Sequence, residues 1–273
     1  MLKKIIPKPI KIRLRRVKES FDFQKLEAIS CNTDSLGKIK QNKLDEILSS
    51  KSYDNDYNRL SKIINSLDLP ENTGGINLGD QRAIFYLTKG FSFKSILEIG
   101  THIGCSTLHF SLALNESRHK NKVLDTVDIK DINNEEKKDW EKYGSKYSPR
   151  KMIELAQSSH FVNFIQSNSI SYLTNCNKRY DLIFLDGSHL SNIVYQEIPL
   201  ALNLLNNGGI ILLHDYYVNN SPIWGDGFIS SGPYQAVERF MEEGQSFHVE
   251  PIGELPWETK MGSKKTSLAF LSK

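Results

Sequence analysis

Two stretches of this 273-residue chain hold side chains whose types and spacing suit chemistry rather than packing. The first runs from Tyr180 to Asp215. Asp181–Leu185 reads as a buried strand, which places Asp186-Gly187-Ser188-His189 at its carboxyl end. In an open α/β sheet, ligands bind just beyond those ends. Ile210–Leu213 repeats the arrangement and closes on His214-Asp215, with Gly208-Gly209 read as the end of the intervening helix. Asp186, Asp215, His189 and His214 thus gather beyond adjacent strand ends, more polar groups than a core needs. The second stretch is Ile96–Ser106, ILEIGTHIGCS. A short buried strand, Ile96 to Ile99, carrying Glu98 at its end, opens into a glycine turn and restarts as a helix over Thr107–Asn115. Gly100 supplies backbone freedom, Gly104 admits close approach of a ligand, and Ser106 or Thr107 is expected to cap the helix. A carboxylate at Glu98 repels phosphate and suits a ligand with an ammonium group. The G-x-G-x-x-G of a dinucleotide site is absent.

The elements that position these residues read as alternating strands and helices. Val123–Val127 is a second strand ending at Asp128, one βαβ step after Glu98. An acid there can accept both ribose hydroxyls of a nucleoside. Phe161–Ile165 is a third strand, followed by Gln166-Ser167-Asn168-Ser169. Pro149–Ser158 is helical, and residues 132–150, polar with Trp140, Tyr143 and Tyr147, read as a surface insertion or partial lid. Pro233 opens a helix whose apolar face is Ala236, Val237 and Phe240. Phe247–Ile252 and Thr266–Leu271 are two closing strands.

The pattern E-x-G-x-x-x-G at Glu98–Gly104, within ILEIGTHIGCSTLHFSLAL, resembles motif I of class I S-adenosylmethionine (SAM)-dependent methyltransferases. It is most similar to the small-molecule and sugar O-methyltransferase branch, where Thr101 and Ser106 also match. The D-G-x-H and H-D pairs at Asp186–His189 and His214-Asp215 resemble methyltransferases of bacterial glycan and secondary-metabolite clusters. The resemblance covers roughly Gly75 to the C-terminus. It implies a Rossmann-like fold, a seven-stranded, mostly parallel sheet with an antiparallel last strand. It implies SAM held by Glu98, Gly100, Thr101, Gly104, Ser106, Asp128 and Asp186, with adenine beside Asn168 and Ser169. It also implies a divalent cation on Asp186 and Asp215, for which hard oxygen ligands suit Mg²⁺. His214 stands where sugar O-methyltransferases often have a second Asp, and Tyr216 where catechol-type enzymes have Asn. A His ligand would shift the preference toward Mn²⁺ or Zn²⁺, or remove the metal.

The implied chemistry is methyl transfer to a hydroxyl. The acceptor must lose its proton, either to a cation that lowers its pKa or to His189 or His214 as general base, with Asp215 beside them. Two alternatives share the scaffold: a non-catalytic SAM-binding partner subunit, and a metal-dependent hydroxylase-like member, which would need an oxidant.

A hydrophobic fraction of 39% allows a full core. A net charge of +3 gives no argument for nucleic acid. The three cysteines, Cys31, Cys105 and Cys176, have neither zinc spacing nor a disulfide pattern, which fits a reducing cytoplasm. No apolar run reaches the length of a membrane span. Residues 1–20 are strongly basic and interleaved with Ile, Leu and Val. They read as a solvated arm or a strand on a neighbouring subunit in a homo-oligomer, ahead of contact with an anionic membrane or phosphate-bearing partner. Residues 1–74 form this arm and a helical extension; residues 75–273 form the methyltransferase domain. In the extension Leu44, Ile47 and Leu48, then Leu60, Ile63, Ile64 and Leu67, have helical spacing. Asp80–Lys89 reads as a helix; in the methyltransferases this chain resembles, a helix in this place lies over the cofactor pocket, which would bring Gln81 and Arg82 toward the ligand, a surface helix being the alternative. After the fifth strand, residues 216–232 form a loop in which Tyr216, Tyr217, Trp224 and Asp226 are candidate acceptor contacts, joined by Trp257 and Lys260.

Overall fold

In the computed structural model, residues 22–70 and 75–273 are described; the basic arm at 1–20 lies outside them. The strands are β1 (Ser95–Ile99), β2 (Val123–Asp128), β3 (Val162–Gln166), β4 (Tyr180–Leu185), β5 (Leu205–Leu213), β6 (His248–Pro251) and β7 (Ala269–Ser272). They form one sheet in the order β3-β2-β1-β4-β5-β7-β6, with β7 antiparallel to both neighbours and the rest parallel. The helices are α1 (Gln41–Leu48), α2 (Lys51–Ser66), α3 (Leu78–Gly90), α4 (Cys105–Glu116), α5 (Pro149–Leu155), α6 (Ser169–Asn175), α7 (Ser191–Leu202) and α8 (Gly232–Glu242).

Both faces of the central strands are covered, so these strands are apolar at nearly every position. Side chains alternate across the sheet. Ile96, Leu124, Leu182, Phe184, Ile210 and Leu212 face one cluster, which also contains α1–α4 residues such as Leu44, Ile47, Leu60, Ile84 and Leu108. Leu97, Ile99, Val127, Ile183, Leu185 and Leu213 face the other, with Tyr195, Ile198 and Phe240 of α7 and α8. The helices of the extension therefore share a core with the strands that position the site. No helix among the described residues is long and apolar enough to cross a membrane.

Two local expectations are corrected. Gly208-Gly209 does not end a helix: α7 stops at Leu202, and both glycines lie inside β5. There the chain between residues 35 and 37 is laid against them, with Gly37 N–H donating to Gly209 O at 2.8 Å and Gly208 N–H to Ser35 O at 2.8 Å. A Cβ on Gly209 would stand 2.8 Å from Asn206 O, so only glycine fits. Nor do Ser106 and Thr107 cap α4. The cap is Gly104, in the left-handed region at φ 83°, and both hydroxyls turn inward to Glu98.

Candidate active site

The parallel register builds the site. Val127, Ile99, Leu185 and Leu213 are paired in one line across β2, β1, β4 and β5. The next residues of those strands are Asp128, Gly100, Asp186 and His214, and they emerge side by side. Backbone bonds continue the ladder one step further, from Gly100 N to Val127 O at 2.8 Å, Asp186 N to Ile99 O at 2.9 Å and His214 N to Leu185 O at 3.2 Å. The strand order reverses between β1 and β4, the switch point at which open α/β sheets leave a crevice.

Glu98 shares a sheet face with Ile96 and Phe184, is paired with Thr126 of β2, and is fully buried. Its Oε2 accepts the hydroxyls of Thr107 and of Thr126, the latter at 2.6 Å, while Oε1 is buried with no partner. Burial pushes the Glu98 carboxyl up to about 7, against the hydroxyls of Ser106, Thr107 and Thr126, which pull it down; the charge of Asp186 adds to the rise. An unpartnered buried carboxylate oxygen is costly unless a donor reaches it. A cationic ligand above the glycine turn would supply one.

The turn is held from β2. Asp128 accepts the backbone N–H of His102 at 2.9 Å on one oxygen and of Lys130 at 2.9 Å on the other. Thr101 is buried, its hydroxyl 2.6 Å from that of Thr126. At Gly100, φ is +101° and a Cβ would lie 2.3 Å from the carbonyl oxygen of Asp186, so the turn and the β4 end are pressed together. Beyond Asp128 a cavity of about 100 Å³ is lined by Asp128, His102, Lys130, Ile132, Asp139, Trp140 and Tyr143. It pairs an acid with an aromatic and aliphatic wall, the chemistry of a nucleoside pocket. In the sequence this wall reads only as a polar insertion; Trp140, buried inside that charged stretch, is the available signal. Asn168 and Ser169 follow β3 next to this cavity's acid, since Ser167 N–H donates to Asp128 O at 2.9 Å. Their side chains are already engaged: Asn168 caps α6 through Ser171 N at 3.3 Å, and the Ser169 hydroxyl bonds Glu197.

On the other side of Gly100 stand the four residues from β4 and β5. Ligand atoms of Asp186, His189 and Asp215 lie within 4.8 Å of one another. His189 is exposed, with Nδ1 3.5 Å from Asp215 Oδ2. Two carboxylates and one imidazole at this spacing can accept a divalent cation, so the donor set fits one. Asp215 sits at φ 56°, a conformation rare for a residue with a side chain. His214 differs from His189. It is buried, with Nδ1 3.0 Å from Asp186 Oδ1 and 3.4 Å from Asp215 Oδ1, and Nε2 3.4 Å from Asp80 Oδ2. Burial works to lower its pKa. The charges of Asp186 and Asp215 and the bonds to Asp186 and Asp80 outweigh it and hold His214 well above the ordinary value. Both of its nitrogens are engaged by carboxylates, whereas the His189 ring is exposed, with Asp215 at its Nδ1.

The remaining candidates turn elsewhere. Gln81 donates to Ile76 O at 2.8 Å. Arg82 pairs with Asp54 and lies 4.2 Å over the Trp257 ring. Trp224 is buried edge-on to Tyr217 with its N–H on Thr259, and Asp226 pairs with Lys260 at 2.5 Å. Tyr217 remains at the site, its hydroxyl 3.5 Å from Asp215 Oδ1. Cys105 is buried, and burial pushes its thiol up to about 12, which suits packing.

Residues 97–216 match the family model described as a methyltransferase domain. A comparison with curated proteins finds no match. Among solved structures, the chain resembles the O-methyltransferase TomG from Streptomyces achromogenes, involved in tomaymycin synthesis and solved with SAM. The identity is 18%, over 87% of this chain and 92% of that one, at a TM-score of 0.52. An O-methyltransferase from Bacillus cereus in complex with S-adenosylhomocysteine (SAH) matches at 17% identity, over 93% and 96%, at 0.51. An SAH-bound methyltransferase from Podospora anserina matches at 17%, over 99% of each chain, at 0.50. At these identities the likeness is one of fold.

Proposed function

We propose that this chain, whose residues 97–216 match the family model of a methyltransferase domain, is a class I SAM-dependent methyltransferase that methylates a hydroxyl of a small molecule or sugar in glycan or natural-product biosynthesis. The observation that carries this reading is the convergence of Asp186, His189 and Asp215, ligand atoms within 4.8 Å, beside the glycine turn. SAM, when bound, supplies a methyl group on a sulfonium that needs no further activation. Glu98 Oε1 and Asp186 receive the ammonium of the cofactor, and Asp128 its ribose hydroxyls. Ile132, Trp140 and Tyr143 wall the adenosine end, with Asn168 and Ser169 flanking it. Asp186 and Asp215, joined by His189, would hold a divalent cation, Mg²⁺ or Mn²⁺, which would lower the pKa of an acceptor hydroxyl. Without the cation, His189 is placed to take the acceptor proton, and Asp215 orients its ring. The remaining catalysis is alignment of oxygen, methyl and sulfur in line. A reducing, cytoplasmic setting belongs to the same reading, with Cys31, Cys105 and Cys176 all free thiols.

The test is calorimetric titration with SAH, with and without Mg²⁺, on the wild type and Asp128→Ala, followed by transfer from labelled SAM to phenols, aliphatic alcohols and sugars. Micromolar SAH binding that weakens in the variant, and label in a hydroxyl acceptor that is lost in His189→Ala, support the reading. Folded protein that binds no SAH removes it.

A further inference from the structure

The acidic end of the site is anchored from outside the stretch that matches the family model. Asp80 lies in the first turn of α3, fully buried, ahead of residues 97–216. Its side chain is held by Thr266, Asn77 and His214. Thr266 gives its hydroxyl to Oδ1 at 2.5 Å, and Asn77 gives its amide to Oδ2 at 2.6 Å. His214 Nε2 stands 3.4 Å from the same Oδ2. The other ring nitrogen of His214 stands 3.0 Å from Asp186 Oδ1. The ring is buried and packed against Phe184, so it has little room to turn. Asp186 is in turn the residue whose carbonyl closes on Gly100.

We propose that Asp80 is a positioning residue: through His214 it fixes the orientation of the Asp186 carboxylate, and so sets how tightly the amino-acid end of the cofactor is held. The chain of contacts runs Asp80–His214–Asp186. It joins α3 and Thr266, just ahead of β7, to the point where the glycine turn meets the β4 end. With Oδ1 tied to His214 at 3.0 Å, the Asp186 carboxylate is held in one direction. Loss of the acceptor at Asp80 frees the far side of the ring, and Asp186 loses its fixed direction. The inference rests on the SAM reading, because it needs Asp186 to face the cofactor ammonium.

Two ligands separate positioning from mere propping of the fold. SAH carries the α-amino acid; 5′-methylthioadenosine shares the adenosine and thioether but has no amino acid. Both are titrated into wild type, Asp80→Ala, Asp80→Ser and Asp80→Asn, at a temperature well below each melting point. The expected result is about tenfold weaker SAH binding in the Ala and Ser variants, with methylthioadenosine within about twofold of wild type; tenfold corresponds to about 1.4 kcal/mol. The Asn variant, whose amide oxygen can still accept from His214 while its nitrogen meets Thr266, is expected to recover most of the SAH affinity. Should the Ala variant not fold, the Ser variant reads the same contrast. Equal weakening of both ligands, or no change in either, overturns the proposal. If wild type binds neither ligand, it is the cofactor reading that fails, and the Asp80 proposal falls with it.

Discussion

Replacing Glu98 by Gln should move stability and cofactor affinity in opposite directions, and the structure sets both sizes. Burial raises the Glu98 carboxyl from 4.5 to about 7 in the ligand-free fold. At 1.36 kcal/mol per pKa unit, ionising it in the fold costs about 3 kcal/mol more than in the unfolded chain. The folded pKa is the higher one, so the folded state binds the proton more tightly. Its stabilising contribution is full below pH 4.5 and is lost as the pH rises through 7. A glutamine side chain keeps the shape and an acceptor for Thr107 and Thr126 but cannot ionise. The variant should therefore match wild type near pH 5 and be more stable by about 3 kcal/mol near pH 8.5, or roughly 5–10 °C in melting temperature for a domain of this size. The site of the orphaned Oε1 becomes a donor and repels an ammonium. SAH should bind at least tenfold more weakly to the Glu98→Gln variant at pH 8, the cost of losing a charge-assisted hydrogen bond, about 1.5–3 kcal/mol. Differential scanning calorimetry from pH 5 to 8.5, paired with SAH titration, reads both. Wild type and variant melting curves that run parallel across that range, or unchanged SAH affinity, would refute the argument that Glu98 is a strained acid waiting for a cation.

Three further outcomes are expected. Trp140→Ala opens one wall of the cavity beside Asp128 and should weaken SAH about tenfold, measured by calorimetry, with methylthioadenosine weakened as much because the loss lies at the adenosine end. Gly100→Ala forces a Cβ to 2.3 Å from Asp186 O at φ +101°; it should lose about 3 kcal/mol or more of stability in urea melts, since both strain and steric overlap oppose it. His189→Ala, at an exposed position, should leave melting temperature within about 2 °C and SAH affinity within about threefold, yet abolish labelled-methyl transfer and weaken Mn²⁺ binding measured by electron paramagnetic resonance. Transfer retained in this variant would remove His189 as base.

The order of strands, the glycine turn and the acids at the strand ends are legible in the sequence, because each depends on local facts. A buried strand is a short apolar run, a tight turn needs glycine, and a polar residue ending such a run has few places to be except a strand terminus. Asp128, Asp186 and Asp215 are found that way, and Glu98 by being the acid within such a run. What the sequence could not decide was how distant residues share a hydrogen bond. His189 and His214 are equivalent as letters beside an aspartate, and either is a candidate base. Folding separates them: the register of β4 on β5 and the docking of α3 bury His214 between Asp186 and Asp80, and leave His189 at the surface. The same holds for Trp140, which reads as part of a polar insertion until the chain folds it over Asp128, and for Gln81 and Arg82, which lie on the right helix but face Ile76 and Trp257. Pattern along the chain reports which face is buried. Which charged partner arrives from 134 residues away, as Asp80 does at His214, is set by the packing of whole elements, and only the tertiary structure contains it.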